Sequence, residues 1–160
     1  MKKLLTKKIQ LLKPLQPIFL LSHMRSYSSV LGHIIGNNPE INGYYEMHLN
    51  YDNCKSFLRQ KSRYLENHEF KKESKFLFDK ILHNEHEINF DLISRKKSKI
   101  IITIREPEET ILSIVSYYAQ HNNTHNYSKI VHAAEYYKEK IDPIFPIKIF
   151  INYRKDNYKI

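Results

Sequence analysis

The sequence predicts an α/β protein, a three-layer arrangement with a central parallel sheet covered on both faces by helices. Three observations carry this. Ile18–Leu21 is a fully apolar run and Lys99–Ile104 is apolar and β-branched at nearly every position, as strands buried on both faces require. Each is followed by a polar segment and then an amphipathic helical stretch. A further apolar run, Ile147–Tyr153, follows another helical stretch.

Taken in chain order, Lys3–Leu12 reads as a short helix, ended by Pro14 and Pro17. The strand Pro17–Leu21 comes next, then the polar turn Ser22–Ser26. Ser28–Ile35 reads as a helix with Val30, Leu31, Ile34 and Ile35 on its apolar side, closed by Gly36 as a C-terminal cap with Pro39 beyond. Ile41–His48 is a loop or short extended piece, and Tyr51–Glu66 a helix rich in Lys and Arg. Lys75–Phe78 is a short strand ending at Asp79-Lys80, and Ile88–Ser94 a helix. After Lys99–Ile104, Pro107 fits the first turn of a helix reaching about Tyr118, with Glu108 and Glu109 at its positive end. Tyr127–Ile141 is the last helix and Ile147–Tyr153 the last strand.

Composition narrows the class. The 160 residues suit a single domain, and 41% hydrophobic with 27% charged residues is ordinary for a globular chain. The formal net charge of +9 suits a polyanionic partner, whether nucleic acid, an anionic surface or a small phosphorylated ligand. Cys54 is the single cysteine, which excludes an intrachain disulfide and a multi-cysteine zinc site. Lys7, Lys8, Lys13 and the prolines interrupt the apolar start, so neither a signal peptide nor a membrane span can be drawn. A cytoplasmic protein is the expectation. Nine histidines include the pairs His83–His86 and His121–His125, but no second ligand cluster accompanies either, and no metal is expected.

Two segments carry candidate chemistry. In the first, a buried strand ends in a turn that opens into a helix, so free main-chain N–H groups and the helix dipole address one point. Arg25 adds a guanidinium fork, and Ser26, Ser28 and Ser29 add hydroxyls. The plainer reading is a strand–helix turn with capping serines. His23 either touches a ligand or is a polar loop residue. In the second segment, Arg105 stands at the carboxyl end of a strand, where open α/β sheets bind ligands, and Ser113 lies on the second turn of the following helix. The plainer reading pairs Arg105 with Glu108 or Glu109 and gives Ser113 a backbone carbonyl.

Together these segments resemble a family. Pro17-Ile-Phe-Leu-Leu-Ser-His-Met-Arg-Ser-Tyr-Ser-Ser-Val-Leu, continuing to Asn38-Pro39-Glu40-Ile41 and Tyr44-Tyr45-Glu46, is similar to the opening of sulfotransferases that use 3′-phosphoadenosine 5′-phosphosulfate (PAPS). Phe78-Asp79-Lys80, and Lys99–Tyr118 with Arg105-Glu-Pro and Ser113, resemble later segments of the same family. The resemblance implies a fold like that of P-loop nucleoside triphosphate hydrolases. It implies that Arg25, Ser26, Tyr27, Ser28 and Ser29 hold the 5′-phosphosulfate and that Arg105 and Ser113 hold the 3′-phosphate. Glu46 falls where members resembling tyrosyl-protein sulfotransferases place a catalytic base, and Arg25 would neutralise the bridging oxygen. Lys80 lies near the site or is a solvated lysine. The acceptor is a hydroxyl compound: a carbohydrate, a tyrosyl peptide or a small alcohol.

Two departures matter. Tyr27 stands where the family prefers Gly, so a side chain there hinders phosphate approach or strains a left-handed turn. The family's later segment, which covers the adenine, has no counterpart here, so the resemblance implies a domain incomplete at its C-terminus and weak or inactive in transfer. A kinase or NTPase would need a Walker lysine with an adjacent Ser or Thr, and neither is present. A non-catalytic basic protein for nucleic acid or another polyanion is the competing reading from a different class.

Overall fold

The computed structural model describes residues 9–82 and 86–142. They form two compact units, one drawn from residues 9–22, 27–82 and 86–103, the other from residues 23–26 and 104–142.

The first unit is α/β. Four strands, β1 (Gln16–Ser22), β2 (Ile41–Asn42), β3 (Phe76–Leu82) and β4 (Lys99–Ile102), form an all-parallel sheet in the order β2-β3-β1-β4. The two strands expected from their apolar runs are neighbours, in register from Ile18 opposite Lys99 to Leu21 opposite Ile102. Pro17 falls before that pairing begins, where β1 has a neighbour on one side only, so its missing N–H interrupts no ladder to β4.

Side chains alternate across a strand, so each face is read from every second residue. On one face Ile18, Leu20 and Phe78 are buried against Leu31 and Ile35 of α1 (Ser28–Gly36). On the other, Leu77 packs with Met47, with Phe70 and with Tyr64 and Leu65 of α2 (Ser56–Asn67). Phe19 meets the Tyr51 ring edge-on at 4.6 Å. Helices therefore cover both faces. Each fully buried side chain of this kind contributes about 1.5–3 kcal/mol.

Several sequence expectations need correction. Strand β3 does not stop at Asp79-Lys80 but carries both in its interior. Buried hydrogen bonds to Asp79 and an ion pair on Lys80 allow charged residues there. Tyr51 lies outside a helix and forms a parallel bridge with Ile88; α2 begins at Ser56. The helix expected over Ile88–Ser94 is α3 (Phe90–Arg95), capped by the Asn89 side chain. Strand β4 ends at Ile102. On α1, Val30 and Ile34 are exposed at 59% and 64%, so only half of the expected apolar side meets the sheet. Gly36 is not a left-handed cap, because the helix continues to it and closes on right-handed Asn37. Its lack of a side chain serves close approach: a Cβ would lie 2.6 Å from the Tyr44 Cβ, and one on Gly32 would lie 2.6 Å from the Tyr44 carbonyl oxygen. One glycine face of α1 thus seats the Gly43–Tyr44 backbone, and with it the segment leading to Glu46.

The second unit is helical among its described residues. It contains α4 (Pro107–His121), a 3-10 turn (Asn126–Ser128) and α5 (Ile130–Ile141). Pro107 opens α4 with Glu108 and Glu109 in its first turn, as expected, but the helix runs to His121 rather than Tyr118. The stretch expected as one helix from Tyr127 is broken by extended Lys129. Ile114, Ala133 and Tyr136 form the core, packed by Met24, Ile111 and Tyr118. Residues 9–11 are helical; the rest of the expected first helix and the expected strand Ile147–Tyr153 lie outside the described residues.

Candidate functional site

At the end of β1 the chain makes a tight turn. Arg25 and Tyr27 both take a left-handed φ of 62°. Two non-glycine residues in that region cost on the order of 1–2 kcal/mol each, from Cβ crowding against the carbonyl. Tyr27 adopts the conformation that glycine would favour, and its side chain, 62% exposed, stands largely in solvent. Tyr27 is also the N-cap of α1 and makes no side-chain capping bond, and the first turn holds no acidic residue. The reading with capping serines is therefore not what forms. Ser26 is buried, its hydroxyl donating to the His23 carbonyl at 2.8 Å; Ser28 is buried and Ser29 exposed. At the foot of the turn the buried Ser22 Oγ has no hydrogen-bond partner among the described residues, a costly state for a hydroxyl.

In the second unit, three residues assigned to anion binding come together from segments about 80 positions apart. Arg25 Nε donates to Ser113 Oγ at 3.0 Å, and its guanidinium lies 5.3 Å from the Tyr117 ring centre. Arg105 Nη1 donates to the Arg25 carbonyl at 3.2 Å, and its Nε pairs with Glu109 at 3.0 Å. Arg105 thus has the Glu109 partner that the plainer reading allowed, and also reaches the turn. Ser113 receives a guanidinium rather than serving a carbonyl.

The Arg105 peptide is itself held at both ends. Its N–H donates to His23 Nε2 at 3.1 Å, and its carbonyl accepts from the Tyr137 hydroxyl at 2.8 Å. His23 is fully buried, neither a ligand contact nor a loose loop residue. Since its Nε2 accepts an N–H, the proton sits on Nδ1, which donates to the Met24 carbonyl at 2.8 Å. Burial lowers its pKa; the Met24 bond opposes this, and the Arg105 charge adds to it. The Met24 N–H donates in turn to the Tyr136 hydroxyl at 2.8 Å.

The first unit holds a separate cavity of about 310 Å³, lined by Ser29, His33, Tyr44, Tyr45, Glu46 and Lys80 among others. Glu46 is not an exposed loop carboxylate, nor Lys80 a solvated lysine. Their side chains are 19% and 11% exposed and pair at 2.7 Å, with Lys80 Nζ also 3.3 Å from Ser29 Oγ. Two bonds tie the Glu46 segment to β3: Lys80 N–H to the Tyr45 carbonyl at 3.2 Å, and Met47 N–H to Asp79 Oδ1 at 2.9 Å. Asp79 Oδ2 accepts from the Tyr51 hydroxyl at 2.5 Å. Burial pushes the Asp79 carboxyl up to about 7, with nearby Glu46 adding to the effect and the hydrogen bonds opposing it. Burial likewise raises the Tyr51 hydroxyl well above its usual value.

The structure therefore brings Arg25, Arg105 and Ser113 together in one unit, and Ser29, Glu46 and Lys80 together in the other. Sequence reasoning missed Asp79, Tyr51, Tyr136 and Tyr137. The one available signal was a carboxylate inside an apolar strand, and the tyrosines gave none. Among the described residues no group of His, Cys, Asp and Glu could hold a metal ion, and no helix is long and apolar enough to cross a membrane. No protein-family model, curated protein or solved structure matches the chain.

Proposed function

We propose that the chain is a PAPS-dependent sulfotransferase with a fold of the P-loop type, acting on a hydroxyl-bearing acceptor. The observation that supports this best is the meeting of Arg25, Ser113 and Arg105. Two guanidinium groups and a serine hydroxyl, all within the second unit, are donors suited to a ligand with several phosphate-type groups. The exposed Tyr27 side chain leaves the turn's left-handed shape in place, so this departure from glycine does not argue against the ligand. The resemblance to sulfotransferases supplies the rest of the assignment: Arg25, Ser26, Tyr27, Ser28 and Ser29 for the 5′-phosphosulfate, Arg105 and Ser113 for the 3′-phosphate, Glu46 as base.

In this reading the acceptor oxygen bonds to sulfur as the bond from sulfur to the bridging oxygen breaks. The acceptor proton passes to the Glu46 carboxylate, and Arg25 meets the charge left on the bridging oxygen of adenosine 3′,5′-bisphosphate. Lys80, paired with Glu46 at 2.7 Å, holds that carboxylate in place.

Calorimetric titration with adenosine 3′,5′-bisphosphate tests the reading. Each charge-assisted bond to phosphate contributes about 1.5–3 kcal/mol, so Arg105→Ala should weaken binding by roughly tenfold or more. Unchanged affinity in the folded variant rejects the assignment. Glu46→Gln should lower sulfate transfer by about a hundredfold or more while leaving bisphosphate affinity nearly intact. The net charge of +9 favours one other outcome: binding of nucleic acid that falls steeply with salt and ignores Arg105→Ala marks a polyanion-binding protein instead.

A further inference from the structure

We infer that His23, in its neutral form, is a positioning residue that works with Tyr137 to clamp the Arg105 peptide and so aims the Arg105 side chain. The inference rests on the phosphate-binding role proposed above for Arg105; the clamp itself is a property of the second unit alone.

Arg105 lies in the irregular stretch between β4 and α4, with no ladder to fix its main chain. An arginine that must present a guanidinium at one place needs its Cα fixed, since the flexible side chain multiplies any error in the backbone. Both polar groups of its peptide unit have partners outside regular structure. The N–H is taken by His23 Nε2 and the carbonyl by the Tyr137 hydroxyl, with Thr110 Oγ1 also 3.4 Å from that carbonyl. The two clamping side chains brace each other, the His23 and Tyr137 rings meeting edge-on with centres 5.2 Å apart. The same arrangement orders the turn. The Met24 carbonyl takes the His23 Nδ1 proton, the His23 carbonyl takes the Ser26 hydroxyl, and the Met24 N–H is held by Tyr136, the neighbour of Tyr137 on α5. A single imidazole thus joins the residues before Arg25 to Arg105.

The clamp needs a neutral ring. Protonation puts a second N–H where the Arg105 N–H already points, turning a hydrogen bond into an opposition of donors. The charged groups around it within the unit add to that cost or leave it standing. Arg105 itself lies close and is cationic, Tyr137 is a neutral phenol, Glu109 is engaged by Arg105, and Glu106 acts on Tyr137. Acid should therefore release the Arg105 main chain.

The test is heteronuclear NMR on the whole chain, combined with bisphosphate titrations from pH 5 to 8. The His23 ring should show a protonated Nδ1 and bare Nε2 at pH 7.5. On acidification below 6.5 the Arg105 amide resonance should move with the same midpoint as the ring. His23→Ala should weaken adenosine 3′,5′-bisphosphate binding by about five- to tenfold, the equivalent of one buried hydrogen bond. His23→Gln places a carbonyl oxygen near the Nε2 position. It should recover most of that loss and remove the part of the acid dependence that exceeds the ligand's own titration. Tyr137→Phe should weaken binding severalfold through the other end of the clamp. An Arg105 amide that ignores the His23 titration overturns the inference, as does a His23→Ala variant that binds like the wild type. If the wild type does not bind the bisphosphate, the phosphate-site reading fails, and the amide titration alone still decides whether His23 holds Arg105.

Discussion

His23 in one unit and Asp79 in the other are buried titratable side chains beside residues assigned to function, and the two are solved in opposite ways. His23 is neutral with complementary partners: one nitrogen donates, the other accepts. Asp79 receives bonds suited to an anion, from the Tyr51 hydroxyl and the Met47 N–H, yet burial outweighs them and its pKa rises to about 7. The difference shows that hydrogen-bond complementarity does not by itself settle charge state. An imidazole can be satisfied without charge, whereas a carboxylate that accepts two bonds is still an ion in a poor solvent. Both groups hold a segment in place, His23 the Arg105 peptide and Asp79 the Glu46 segment. They should respond to pH in opposite directions.

The largest effect expected of this contrast comes from removing Asp79. Asp79→Ala leaves the Met47 N–H and the Tyr51 hydroxyl buried without their acceptor and should destabilise the protein by about 2–4 kcal/mol. Asp79→Asn still offers an oxygen to the Met47 N–H, but its amide can only donate to the Tyr51 oxygen and leaves that hydroxyl proton without its acceptor, so it should cost about 1–2 kcal/mol at neutral pH, less than Asp79→Ala. Urea unfolding of both variants measures this. Equal losses from Ala and Asn would mean that the charge, not the bonding, matters at Asp79.

A pH series of the same unfolding curves sharpens the contrast. The folded carboxyl of Asp79 titrates near 7 against 3.8 for an ordinary one, so the folded state binds more protons between these values. Its contribution to stability is therefore fully present below about 4 and lost as pH rises towards 7. For His23 the folded pKa lies below 6.5, so the unfolded state binds the extra proton, and stability is lost as pH falls below 6.5. Asp79→Asn should gain stability relative to the wild type from pH 4 to pH 7, and His23→Gln should gain relative to the wild type in acid. Parallel curves for wild type and variants across the whole range would remove both assignments.

The smallest expected effect concerns the turn itself. Tyr27→Gly relieves one left-handed residue and should stabilise the protein by about 1 kcal/mol, less the added freedom of glycine in the unfolded chain. A loss of stability instead would show that the Tyr27 ring makes contacts that outweigh its backbone strain.

How far the sequence leads differs by element. Strands β1 and β4 and the start of α4 are legible because their signals are local: apolar runs, and a proline followed by acidic residues. Strand β3 is underestimated because Asp79 and Lys80 look like a strand's end. They are tolerated inside it only because Tyr51, Met47 and Glu46 arrive from elsewhere in the chain to bond them. Gly36 looks like a cap, while its role depends on Tyr44 crossing the helix at a distance no side chain would allow. The candidate residues Arg25, Arg105, Ser113 and Glu46 are each visible as types in suggestive places. Their partners are not.

The sequence by itself determined that buried parallel strands alternate with helices, that a polar turn rich in donors follows the first strand, and that the chain carries a strong positive charge. Those properties follow from composition and short-range periodicity, which act over a few residues. Only the tertiary structure decided that Arg25 meets Ser113, that His23 and Tyr137 close on the Arg105 peptide, and that Glu46 is paired with Lys80 rather than solvated. Each of these depends on hydrogen bonds and burial between residues 30 or more positions apart, and such pairings exist only once the elements have packed.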